Sequence, residues 1–126
     1  MKRIIATQTA PAAVGPYSQA VVAGNLMFCS GQIALDPATG TMVGASPAEQ
    51  TERVLKNVSA LLAAEGLSLR DVVKATVFAT DMGAFAAVNE VYARFFTSEP
   101  PARSFVEVSA LPKNALVEIE VIAYKK

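Results

Sequence analysis

The sequence predicts an α+β domain spanning residues 1–126, a mixed β-sheet with two helices packed on one face. Three observations predict it. Two stretches repeat apolar residues at helical spacing. Shorter stretches alternate apolar and polar residues, as half-buried strands do. Their order is strand, hairpin, helix, long strand, helix and two strands, which fits one sheet covered on one side rather than a strictly alternating fold.

Residues 3–6 read as a short strand. Residues 7–16 contain Pro11, Gly15 and Pro16, and so form an irregular arm. Residues 17–22 and 26–30 make a hairpin, because Gly24-Asn25 is a two-residue turn signal. Ser30-Gly31-Gln32 then places a glycine inside a strand pattern. That marks either a plain bulge or the close approach of another group.

Asp36-Pro37-Ala38-Thr39-Gly40 is a turn. Ser46 caps the first helix, Pro47 suits its first position and Glu49 completes a capping box. Val54, Leu55, Val58, Leu61 and Leu62 form its apolar stripe, with Glu52, Arg53, Lys56, Asn57 and Ser59 off it. Gly66 is a natural stop. A long strand covers residues 68–80, with Val73, Ala75, Val77 and Ala79 as its small-residue, helix-facing side. Asp81 caps a second helix over residues 82–96, striped by Phe85, Val88, Tyr92, Phe95 and Phe96. Asn89 shares that apolar side, where an amide is costly unless it is hydrogen-bonded.

Residues 100–110 and 115–124 are the last two strands. Alternation sorts their faces. Ala102, Ser104, Val106, Val108 and Ala110 are expected to join Val117, Ile119, Val121 and Ala123 on the core side. Arg103, Phe105, Glu107 and Ser109 then share the opposite side with Leu116, Glu118, Glu120, Ile122 and Tyr124. A face with Phe105, Ile122 and Tyr124 is too apolar for full solvation. It is read as half buried against a partner subunit, with Arg103 and a glutamate at a cleft.

Composition narrows the chemistry. Eleven basic residues balance 11 acidic ones, which argues against a nucleic-acid or membrane-surface binder driven by charge. There is no histidine, hence no Ser-His-Asp or Cys-His arrangement, and metal sites lose their commonest ligand. One cysteine allows no internal disulfide, and Cys29 sits in an apolar run that suits an inert thiol. A hydrophobic content of 52% points to surface covered by oligomerisation. No signal peptide or membrane-spanning run is visible, so the cytoplasm is the expected location. Tyr17, Asn89, Arg103, Glu118 or Glu120, and the backbone around Gly31 remain. They suit a small ligand with a carboxylate, which a guanidinium grips through two parallel hydrogen bonds. A neighbouring glutamate can then orient or deprotonate a water that attacks an already reactive electrophile such as an iminium carbon.

Six fragments, in order, carry a resemblance: Gly15-Pro16-Tyr17-Ser18-Gln19-Ala20, Ser30-Gly31-Gln32-Ile33, Val88-Asn89-Glu90-Val91-Tyr92, Pro101-Ala102-Arg103-Ser104, Leu111-Pro112-Lys113 and Glu118-Ile119-Glu120. Together they resemble the RidA (YjgF) family of reactive-intermediate deaminases over essentially the whole chain. The resemblance implies a chorismate-mutase-like α+β fold and a homotrimer with three clefts between subunits. It implies hydrolysis of 2-imino acids such as 2-iminopropanoate and 2-iminobutanoate to 2-keto acids and ammonia, with no cofactor and no metal. It assigns Arg103 to the substrate carboxylate and Glu118 to the attacking water. Tyr17, Ser30, Gly31 and Asn89 match cleft-lining positions, and Glu120 matches no assigned role. Phe105 stands where some members carry a cysteine, so it narrows the cleft or closes one wall. The alternatives are a regulatory module that binds a small carboxylate or keto acid without turnover, and an RNA-cleaving or chaperone-like role, as described for some relatives.

Overall fold

The computed structural model describes all 126 residues, built on one six-stranded sheet and two helices. The strands are β1 (Lys2–Ile5), β2 (Ala20–Ala23), β3 (Leu26–Gln32), β4 (Val72–Ala79), β5 (Ala102–Glu107) and β6 (Val117–Tyr124). The helices are α1 (Pro47–Ala63) and α2 (Phe85–Phe95). The sheet runs β1-β2-β3-β6-β4-β5, so the last strand in sequence lies inside the sheet. Only β4 and β5 pair in parallel. A parallel neighbour needs a crossover, and α2 supplies it. This is the α+β architecture the sequence predicts.

The helix α1 follows its stripe. Val54, Leu55, Val58, Leu61 and Leu62 are all fully buried, against β6, β3 and α2. Burying five such side chains contributes on the order of 10 kcal/mol. Ser46 Oγ accepts from Glu49 N at 3.2 Å, as a cap should. The box is different from the expected one. Glu49 accepts from Ser46 Oγ and from Ala45 N, not from Ser46 N. Asn57 corrects the reading of the polar side, because it is fully buried. Its amide donates to Ile33 O and Leu35 O at 3.1 and 2.9 Å and accepts from Arg53. It ties the helix to the chain leaving β3.

Three other boundaries shift for physical reasons. The first arm of the hairpin begins only at Ala20 and the second runs on to Gln32, with Ala23 paired to Leu26 around Gly24 (φ 60°). A short 3-10 turn, Leu69–Asp71, precedes β4. In β4 the register slips between Val72 and Lys74, so Val72 takes the core position and Val73 is 48% exposed. Before α2, Met82–Ala84 forms a 3-10 turn. Asp81 caps it through Gly83 N at 2.8 Å, and Glu107 of β5 accepts from Met82 N at 2.7 Å.

The larger correction concerns β5. Val117, Ile119, Val121 and Ala123 of β6 are buried beneath the helices, as expected. On β5 the faces are reversed. Ala75 and Val77, both fully buried, stand beside Arg103 and Phe105. Arg103 and Phe105 therefore lie on the helix side, while Ser104 and Val106 face outward with Glu118 and Glu120 of β6. An edge strand is covered on that side only by α2. Its exposed flank accepts an arginine and a phenyl ring better than a tight core would. Within one chain, Arg103 and Glu118 thus lie on opposite faces of the sheet.

The uncovered face carries Ile4, Leu26, Phe28, Val106 and Tyr124, all exposed. No helix is long and apolar enough to cross a membrane.

Candidate active site

Glu118 is the second residue of β6, where its side chain reaches the uncovered face beside a distortion in β3. Pairing between the two strands jumps from Cys29–Val121 to Gln32–Ile119, so Ser30 and Gly31 fall out of register. This is the bulge the glycine signalled, and it has an occupant. A Cβ on Gly31 would lie 2.8 Å from Cδ of Glu118 and closer still to Oε2. Only hydrogen fits between the backbone and the carboxylate. Glu118 is half buried and belongs to none of the chain's ion pairs, which join Arg3 and Lys125 to Glu65 and Lys56 to Glu52. Burial, and then the nearby charge of Glu120, push its carboxyl above the ordinary range.

A cavity of about 570 Å³ opens in front of this carboxylate. Tyr17, Ser30, Gly31 and Glu118 all line it, so four of the residues singled out from the sequence come together. Ser30 Oγ donates to Ser18 O at 2.6 Å, fixing the bulge to the arm. Tyr17 OH accepts from Val14 N at 3.2 Å. Gln19 organises this wall. Its buried amide donates to Thr7 O, Ala10 O and Pro11 O and accepts from Thr7 N. Glu120 and Lys113 also line the cavity, with Lys113 in the left-handed region at φ 56°. Gln19 and Lys113 lie within the family fragments, but the sequence assigned neither a role. Cys29 stays outside this chemistry: it is buried, and burial pushes its thiol up to about 12.

Asn89, Arg103 and Phe105 form a separate group between α2 and β5. Nη1 of Arg103 donates to Asn89 Oδ1 at 2.7 Å, so the amide on the apolar side of α2 has a partner. Cζ of Arg103 stands 4.8 Å from the Tyr92 ring centroid, 5.4 Å from Phe105 and 5.8 Å from Phe85. No carboxylate of the same chain pairs with it. Burial raises the Tyr92 hydroxyl, and the charge of Arg103 opposes this. Phe85 and Tyr92 were legible as stripe residues, but their place around the guanidinium was not.

The chain thus holds a partly buried carboxylate without a cation and, apart from it, a guanidinium without an acid. The profile described as Endoribonuclease L-PSP matches residues 7–125. The chain belongs to the RidA (YjgF) family. It is 54% identical to a RutC family protein of Pyrococcus horikoshii over 100% of both chains. It is 47% identical to the 2-iminobutanoate/2-iminopropanoate deaminase of Capra hircus, over 98% of this chain and 90% of that one. Among solved structures it resembles Escherichia coli TdcF with bound serine, with a TM-score of 0.94 and 46% identity over 98% of this chain and 99% of the other. The RidA fold is thereby established for the sheet and both helices. The cavity around Glu118 and the group around Arg103 are the two places on that fold where the polar side chains described above collect.

Proposed function

We propose that this RidA-family chain is an enzyme that hydrolyses small 2-imino acids, such as 2-iminopropanoate and 2-iminobutanoate, to 2-keto acids and ammonia. The observation that carries the reading is the Glu118 carboxylate, pressed against a glycine bulge, raised by burial and open to a cavity. A carboxylate so raised is a better base than an ordinary one. In the proposed step, water oxygen adds to the iminium carbon while Glu118 accepts one of its protons. That proton passes to the carbinolamine nitrogen; the C–N bond then breaks as the new hydroxyl gives its own proton to Glu118, ammonia leaves and takes up that proton as ammonium, and the 2-keto acid remains. Arg103, held by Asn89, grips the substrate carboxylate. Tyr17, Ser30 and Gly31 shape the pocket, and Phe105 closes a wall.

Because Arg103 and Glu118 lie on opposite faces, the reading requires Arg103 of one subunit to meet Glu118 of another. The exposed apolar residues of the uncovered face support a cyclic homo-oligomer, read as a homotrimer with sites at its seams. The name carried by the goat relative supports the activity, and the serine in the Escherichia coli relative supports a small carboxylate ligand.

Iminopropanoate generated in situ, in competition with semicarbazide, tests turnover. The protein is expected to suppress semicarbazone formation. An undiminished semicarbazone yield at high protein concentration overturns the enzyme reading. If 2-ketobutanoate still binds in that case, the regulatory module is the correct description. A net charge of zero and the lack of histidine offer the RNA-cleaving alternative little support.

A further inference from the structure

We propose that Phe85, Tyr92 and Phe105 act as positioning residues: a three-ring box that holds the plane of the Arg103 guanidinium and leaves one edge of its fork for a carboxylate. The inference rests on the reading of Arg103 as the carboxylate anchor.

The rings come from two elements. Phe85, Asn89 and Tyr92 recur at i, i+4 and i+7 on one side of α2. Phe105 follows Arg103 by two residues on the same face of β5. The guanidinium thus lies between a helix face and its own strand, with Cζ within 5.8 Å of all three ring centroids. Guanidinium groups are attracted to ring faces at such distances. The rings also brace one another. Tyr92 is 7% exposed and stacks on Phe96 at 4.5 Å and 30°. Phe85 and Phe105 meet at 4.8 Å and 59°. Asn89 occupies Nη1 from the remaining side.

Phe85 is the informative member. It is 41% exposed and contributes little to the core, so core packing alone does not account for a phenyl ring there. Beside Arg103 the ring has a use. A free arginine samples many rotamers, and ordering one during binding weakens affinity. A guanidinium held between rings has lost that freedom already, and its covered faces no longer compete for water. The carboxylate contact persists from ground state to transition state, so the box acts on binding more than on the chemical step.

The test combines calorimetric titration with 2-ketobutanoate and steady-state hydrolysis of iminopropanoate, using the assembled protein. Arg103→Ala is expected to abolish binding. Phe85→Leu keeps apolar bulk but removes the ring, so Kd and KM should rise about threefold to tenfold with kcat nearly unchanged. Phe85→Tyr, which keeps a ring, should restore wild-type values. A general packing defect would lower thermal stability without this rescue and without a KM-selective effect. If Phe85→Leu binds as tightly as wild type while Arg103→Ala does not bind, the box is wrong and the anchor stands. If Arg103→Ala binds as wild type, the anchor is wrong and the box falls with it.

Discussion

Glu118 and Arg103 sit two strands apart in the same sheet, and the chain treats them in opposite ways. The guanidinium is saturated with neighbours: an amide oxygen at 2.7 Å and three aromatic rings. The carboxylate has a glycine behind it, a second glutamate nearby and a cavity ahead. Rigid support suits a group that must grip in one direction. A poorly stabilised negative charge suits a group that must take a proton. Under the proposed function, this contrast is that between an anchor and a base, and each half lacks what the other supplies.

The strongest way to break this comparison is to remove the gripping half. Arg103→Ala is expected to lower kcat/KM for iminopropanoate by at least about a hundredfold, the scale of a lost charge-assisted bidentate contact. Arg103→Lys should fail nearly as badly, because a point charge cannot reproduce the fork. Both variants should keep the wild-type circular dichroism spectrum. Retained activity in either would separate Arg103 from the reaction.

Removing the reactive half should cost a similar amount. Glu118→Gln is expected to lose about a hundredfold or more in kcat, the range of general-base contributions. It should also lose the acidic limb of the pH profile. With Glu118 raised by burial and by Glu120, the wild-type limb should lie above the ordinary carboxylate range, with activity falling as pH drops through it. The stability effect has the opposite sign. A carboxyl whose folded-state pKa is raised favours folding while protonated, and that contribution disappears as pH rises through the folded value. Glu118→Gln should therefore melt no lower than wild type at neutral pH. A limb in the usual carboxylate range would deny Glu118 its role.

Mixing the two defective chains sharpens the comparison further. If the halves meet across a seam in a cyclic oligomer, co-refolded Arg103→Ala and Glu118→Gln chains should regain about one quarter of wild-type activity, since one seam in four then joins two intact halves. No recovery would place both groups in one chain's site, against the face assignment.

Gly31→Ala should show a smaller and more selective effect. The new methyl meets the flexible end of Glu118 rather than backbone, so stability should change by less than about 1 kcal/mol while activity falls about tenfold. Outside the site, Asn57→Ala should lower stability by about 2 kcal/mol, because two buried carbonyls lose their donor. Urea denaturation measures both.

Much of this arrangement was legible in the chain. The stripe of α1 and the parity of β6 were clear because each buries one side completely. The six fragments also carried the family. The orientation of β5 was not legible, since Ala102, Ser104 and Val106 look more like a core face than Arg103 and Phe105 do. Its sidedness is set by its parallel register with β4 and by the side chains α2 presents, and both are tertiary facts. Asn57 and Gln19 were hidden for a related reason. An amide looks the same in sequence whether it meets solvent or binds carbonyls from a distant segment. Gly31 was legible as a bulge, but the carboxylate that fills it lies 87 residues further along the chain.

Gln19 has a consequence of its own. With one amide gathering Thr7, Ala10 and Pro11, the arm is fastened at its root while Ala12 and Val14 stay exposed along the cavity. Exchanges at Ala12 and Val14 can therefore remodel the cavity wall without loosening the sheet. The shape of that wall can thus change separately from the charged groups deeper in the cavity.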